Sequence, residues 1–201
     1  MSTRDLASRL RDTAGRLPPG PVPLAALAEA HGGAWQASLL VLLAAPCLLP
    51  IPGVGSVLSV GLALLGILMC GAHCADMPPR LGRLSLPREG ASRSLALLAR
   101  FYDFIYRLTR PRMTSLAGPH ARWWLGPMTL LMAVLIFLPI PFGNVLPAVA
   151  LMLAGVALAA RDGALMLASL GVGAGALAAS AGLMALGWQA GATLLAWVGL
   201  A

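Results

Sequence analysis

The chain contains no lysine, and only 10% of its 201 residues are charged. Soluble domains typically carry about 25% charged residues, so a water-solvated globule is excluded. Three cysteines, an odd number, offer no disulfide framework. No stretch alternates apolar with polar residues at strand period, which argues against a β-barrel. What is present instead is 59% hydrophobic residues and a mean hydropathy of +0.84, gathered in blocks. At this length, the composition predicts one all-α integral membrane unit.

Because lysine is absent, the net charge of +7 belongs to arginine. In a soluble chain a pI near 11.0 would suggest a nucleic-acid partner. The distribution argues for none. Arg4, Arg9, Arg11 and Arg16 precede the first apolar block, and Arg80, Arg83, Arg88, Arg93, Arg100, Arg107, Arg110, Arg112 and Arg122 fill the centre, leaving only Arg161 beyond. That is the pattern of cytoplasmic flanks, so the N-terminus and residues 76–122 are expected in the cytoplasm.

The chain divides into five segments. Residues 1–33 hold an N-terminal helix with Leu6, Leu10 and Leu17 at roughly helical spacing and Ser2 with Asp5 as a candidate capping box. Two readings stand for it, an amphipathic helix on the membrane surface or a frayed tail. LPPGPVP is a stiff linker, and LAALAEAH is a short helix stopped by Gly32 and Gly33. Residues 34–75 and 123–160 are two uncharged blocks. Between them, residues 76–122 carry an interfacial helix whose apolar face is Leu98, Phe101, Tyr102 and Ile105, ended by Pro111. Residues 161–201 follow ARDG, in which Asp162 is expected to cap a turn. They are rich in glycine and alanine at spacings of four, which reads as two packed membrane helices meeting near Ala179 to Gly182.

Both uncharged blocks are interrupted in the same way, by LPIPGVG at 49–55 and LPIPFGN at 138–144. Proline removes a donor and pushes its predecessor toward extended backbone, so Pro50 with Pro52, and Pro139 with Pro141, should unwind Leu49 to Ile51 and Leu138 to Ile140. Aligning the breaks also matches Val60 with Val149, Leu62 with Leu151, Leu64 with Leu153 and Gly66 with Gly155. The chain therefore reads as a duplicated unit with two proline-broken helix pairs, re-entrant or hairpin. Unwound backbone at membrane depth must be buried in protein or line a wet cavity. Gly53 and Gly143 admit crowded backbone, and Ser56 and Asn144 are candidate caps for the helices that restart. Asn144 is expected to accept from the Leu146 N–H, with Pro147 in the first turn. Two such helix ends facing inward suit an anion; tight hairpin turns with no ligand are the alternative.

Cys70, His73, Cys74 and Asp76 sit close together but lack the second half of a zinc pattern and reverse the haem-attachment order. No metal or cofactor is expected.

Together these residues resemble the exopolysaccharide-synthesis ExoD family of bacterial membrane proteins. The likeness rests on PLAALAEAHG, AAPCLLPIPGVGSVL, the Arg110 to Arg112 triplet, LPIPFGNVLPA and RDG, in that order, while HCADMPPRL departs from the pattern expected after the first block. The resemblance implies a multi-pass protein of the bacterial inner (cytoplasmic) membrane tied to exopolysaccharide production.

Mechanism has to come from the residues. There is no nucleophile beside a base, no carboxylate pair in an apolar run and no nucleotide loop, so an enzyme is not expected. The leading expectation is handling of an anionic lipid-linked intermediate at the paired breaks, by Pro50, Pro52, Gly53, Ser56, Pro139, Pro141, Gly143 and Asn144, with Arg110 and Arg112 guiding it at the cytoplasmic face. A scaffold subunit of a polysaccharide-synthesis complex is the alternative, and an ion or proton pathway a third. Expected partners are membrane lipids, a lipid-linked saccharide or synthesis proteins; a homo-oligomer is compatible with all three.

Overall fold

Runs of leucine, alanine and methionine satisfy their main-chain groups internally as helices. The computed structural model describes residues 3–49, 53–71, 82–109, 112–118, 121–138 and 143–197, and these form eight α-helices. They are α1 (Thr3–Gly15), α2 (Leu24–His31), α3 (Trp35–Ala44), α4 (Val54–Cys70), α5 (Arg88–Leu108), α6 (Arg122–Phe137), α7 (Val145–Ala160) and α8 (Gly163–Trp197). A 3-10 turn over Ala45–Leu48 continues α3, and β1 (Val22–Pro23) pairs antiparallel with β2 (Ser85–Leu86).

The helices stop where the prolines require. Leu49 (φ −81°, ψ 130°) and Leu138 (φ −66°, ψ 134°) are extended, each directly before a proline, and the helical segments end at Leu48 and Phe137. New helices start at Val54 and Val145. Gly53 stands at φ 85°, a left-handed conformation that glycine adopts without steric penalty, and this turns the chain into α4.

Contacts between helices set their directions. Gly55 lies beside Ile136, Gly66 beside Leu130 and Gly126, and Cys70 beside Gly126. One number rises as the other falls, so α4 and α6 run antiparallel. Leu43 packs on Gly61, which folds α3 back along α4 as a hairpin. α7 starts level with Gly55, because Asn144 touches it, and eleven residues on Gly155 meets Ala37, Leu40 and Val41, about as far down α3. The four helices thus alternate in direction, and the helix ends that flank the two proline breaks lie at one end of the bundle. The glycines permit the close approach. A methyl group on Gly66 would fall 2.9 Å from the Leu130 backbone nitrogen, and one on Gly155 would fall 3.0 Å from the Ala37 carbonyl oxygen.

A second apolar cluster lies against this bundle. Ala7, Leu10 and Leu17 pack with Leu95, Leu98, Ala99, Tyr102 and Ile105, joined to the bundle through Val41 and Val156. α5 therefore has the apolar face expected from its sequence, with Phe101 half-buried, but that face is packed on α1 and is not left free for a membrane interface. The N-terminal helix differs from expectation. Its apolar side is buried on α5, and a side chain already desolvated by one neighbour has no apolar area left for a membrane surface. Arg11 and Asp103 pair across α1 and α5. Ser2, Pro111 and the cluster His73, Cys74 and Asp76 lie outside the described residues.

The C-terminal segment requires a correction. It forms one 35-residue helix, Gly163–Trp197, and not two helices meeting near Ala179 to Gly182. Glycine weakens a helix by only about 1 kcal/mol, and no proline or charge stands there to stop it. At 1.5 Å per residue α8 is about 52 Å long. Its first half packs on α7 and α6 through Met166, Ser169, Gly173 and Ala176. From Ala181 to Ala190 every residue is exposed, with Trp188 at 80%. Over Gly163–Thr193, α8 is long and apolar enough to cross a membrane, whereas Trp35–Leu48, Val54–Cys70, Trp123–Phe137 and Val145–Ala160 are apolar but shorter.

Candidate functional site

At the break end of the bundle the first turns of α4 and α7 meet. Their first helical hydrogen bonds are Val57 N–H to the Gly53 carbonyl and Ala148 N–H to the Asn144 carbonyl. The N–H groups of Val54, Gly55, Ser56, Val145 and Leu146 therefore precede the intrahelical ladders, and Pro147 has none. Asn144, the chain's one asparagine, bridges the two ends. A methyl group on Gly55 would lie 2.5 Å from Asn144 Nδ2, so the amide occupies the space that glycine leaves empty. Asn144 Oδ1 is buried and has no hydrogen-bond partner among the described residues.

Two expected caps are corrected by this geometry. Asn144 stands at the N-cap position, but with helical backbone (φ −76°, ψ −24°) and no side-chain cap bond. A capping side chain reaches back to the N2 or N3 N–H from extended backbone, and the helical conformation swings this one toward Gly55 instead. Ser56 lies inside α4, whose N-cap is Gly53, and its carbonyl accepts from the Ser59 hydroxyl at 2.7 Å. Asp162 does cap, accepting from the Ala164 N–H at 3.1 Å and the Leu165 N–H at 3.3 Å.

Of the other candidate residues, Gly53 and Gly143 flank the paired helix starts, while Pro50, Pro52, Pro139, Pro141 and Arg110 lie outside the described residues. Arg112 is not brought to Asn144. Its carbonyl accepts from the Gly163 N–H at 2.7 Å, which places it at the turn between α7 and α8, with Arg161, the length of α7 away. α7 has 16 residues, about 24 Å. The arginines thus mark the base of the bundle and the breaks its tip.

Sequence reasoning passed over Gly55, Ser38 and His31, which the fold makes prominent, and read Tyr102 only as part of an apolar face. Gly55 aligns with Asn144 once the two breaks are superposed, and that signal was available. The Ser38 and Tyr102 hydroxyls meet at 3.0 Å between α3 and α5; burial pushes the Tyr102 phenol up to about 12, partly offset by its bond to Ser38. His31 is buried, and nothing local in LAALAEAHGG announces it. Among the described residues no group of three or more metal-ligating side chains comes together.

No curated protein and no solved structure matches the chain. The family model described as "Exopolysaccharide synthesis, ExoD" matches residues 6–182, a span that takes in both proline breaks, the bundle they divide and the arginine-marked base. The chain therefore belongs to the ExoD family, whose role is in exopolysaccharide synthesis.

Proposed function

We propose that the protein handles an anionic lipid-linked intermediate of exopolysaccharide synthesis, at the tip where the two proline breaks converge. The observation that carries this reading is the meeting of two helix N-termini across Gly55 and Asn144, with five backbone N–H groups ahead of the helical ladders. Helix N-termini concentrate positive potential and free donors. The Asn144 amide adds a polar group that can present either its oxygen or its nitrogen by turning over, and its buried oxygen has no partner among the described residues.

The two blocks are read as one duplicated unit. Gly66 packs on Gly126 and Leu130; its aligned counterpart Gly155 packs on Ala37 and Val41, which align with those same two positions. Gly55 and Asn144 also align, and they touch each other, as residues on a two-fold axis do. The axis runs along the bundle, so both pairs enter from the arginine-marked base. α4, α6 and α7 have 17, 16 and 16 residues, about 24 to 26 Å, against a hydrocarbon core of about 30 Å. Hairpins that enter the bacterial inner membrane from the cytoplasm and stop short of its far side, beside a spanning α8, account for these lengths.

Asn144→Asp keeps the size of the side chain and adds a negative charge at the tip. In cells depending on this copy, the variant is expected to insert at wild-type levels and lose polysaccharide output, while Asn144→Ser retains much of it. Wild-type output from a stably inserted Asn144→Asp protein would remove the anion site. One observation favours the scaffold reading, namely the stretch of α8 from Ala181 to Ala190, which no described residue covers; under it, Asn144→Asp is silent and truncation after Ser180 abolishes output.

A further inference from the structure

The end of α2 carries a group that the bundle tip does not use. His31 is 6% exposed, and its Nδ1 lies 2.5 Å from the Leu27 carbonyl oxygen. A carbonyl only accepts, so Nδ1 holds the proton and donates. Burial lowers the pKa of the ring below its usual value, with the bond to Leu27 opposing it to a lesser degree, and the imidazole is neutral at pH 7. A neutral ring protonated at Nδ1 leaves a bare lone pair at Nε2. That atom is buried with no partner among the described residues, and an unmade hydrogen bond at a buried acceptor is destabilising.

His31 lines a partly enclosed cavity of ≈ 50 Å³ between α2, α3, α5 and β2. Among the described residues no charged side chain lines it. The walls are aliphatic, among them Leu27, Leu39, Leu42, Leu95 and Leu98, apart from Trp35 and two serines, Ser38 and Ser94. Ser38 is already engaged with Tyr102. The space holds on the order of three or four water-sized groups, but waters there would leave most of their own hydrogen bonds unmade against leucine. An anionic or cationic headgroup would find no countercharge, and a plain alkyl chain would bring no donor to Nε2. What satisfies both the walls and the lone pair is a hydroxyl on the end of an aliphatic chain.

We propose that this cavity binds the hydroxyl end of a neutral aliphatic alcohol, with the hydroxyl donating to His31 Nε2 and the adjoining methylenes lying against Leu42 and Leu98. The site is separate from the bundle tip and does not depend on the function proposed there.

The test uses the full chain in phosphatidylcholine nanodiscs, labelled with 15N-histidine. His73→Gln with His120→Gln leaves His31 as the sole histidine, so its ring resonances need no further assignment. On titration with 1-dodecanol the unprotonated Nε2 resonance is expected to move upfield and saturate, the Nδ1 resonance staying protonated, while dodecane and dodecanoate leave both in place. Leu42→Trp, which fills the cavity without touching the Leu27 bond, should abolish the response. The proposal fails if dodecanol gives no shift, if dodecane gives the same shift, or if Nε2 sits at a hydrogen-bonded position before any addition and stays there, which would assign the site to resident water.

Discussion

Replacing Gly66 by alanine puts a methyl group 2.9 Å from the Leu130 backbone nitrogen and 3.1 Å from the Gly126 carbonyl oxygen. Both obstacles are main chain of α6 and cannot rotate aside, so α4 and α6 must separate by several tenths of an ångström. Overpacking of this kind costs about 1–3 kcal/mol, and exchanging glycine for alanine inside a helix returns about 1 kcal/mol. With backbone as the obstacle the upper part of the range applies, for a net loss of about 1–2 kcal/mol. Gly155→Ala meets the Val41 Cγ2 methyl at 2.9 Å as well as the Ala37 carbonyl oxygen at 3.0 Å. One of these can turn, so its loss should be smaller. Gly175→Ala meets nothing within 4 Å and should stabilise by up to about 1 kcal/mol. Reversible unfolding in mixed micelles of dodecylmaltoside and SDS, followed by circular dichroism, gives the ranking. Stability is expected to fall in the order Gly175→Ala, wild type, Gly155→Ala, Gly66→Ala. A Gly66→Ala protein as stable as Gly175→Ala would refute the close contact of α4 with α6.

Three further outcomes follow from particular contacts. The Tyr102 phenol, raised from 10.0 to about 12, supplies stability that is fully present below about pH 10 and is lost as pH rises through about 12; phenolate absorbance should show one tyrosine ionising late, and Tyr102→Phe should flatten the loss of stability with pH. Asp162→Ala removes the cap of α8 and should cost about 0.5–2 kcal/mol in the same unfolding assay, with Asp162→Ser recovering most of it. Spin labels at Ala174→Cys and Ala190→Cys, in a background without native cysteines, should report backbone separation of about 24 Å along a continuous α8; a distance near 10 Å, the spacing of packed helices, would restore the helix pair.

Much of the local structure was legible because it is decided by neighbours in the chain. Leu49 and Leu138 are extended on account of the prolines that follow them, and Asp162 caps because its side chain reaches N–H groups two and three residues away. α2 ends at His31 because Gly32 can take φ 54°. The apolar stripe of α5 was readable from its periodicity, since one face repeats every three or four residues. Asn144 shows where such reasoning stops. Its type and position announced a cap, but its role depends on Gly55, which lies about ninety residues earlier and removes the side chain that would have blocked it.

What the sequence by itself determined is therefore the helical character of the chain, the two interruptions and the blocked apolar composition, all consequences of backbone restriction and local hydrophobic pattern. Only the tertiary structure decided which helices pair, that the breaks share one end, and that α1 lies on α5. It also decided that α8 continues past Ala179 to Gly182, where glycine permits a turn without demanding one. Helix pairing is set by where bare backbone lets two helices approach, at Gly66, Gly126 and Gly155, and that is a property of both surfaces at once. For the same reason the unpaired Nε2 of His31 could not be read from LAALAEAH: the walls that strip it of water come from α3, α5 and β2.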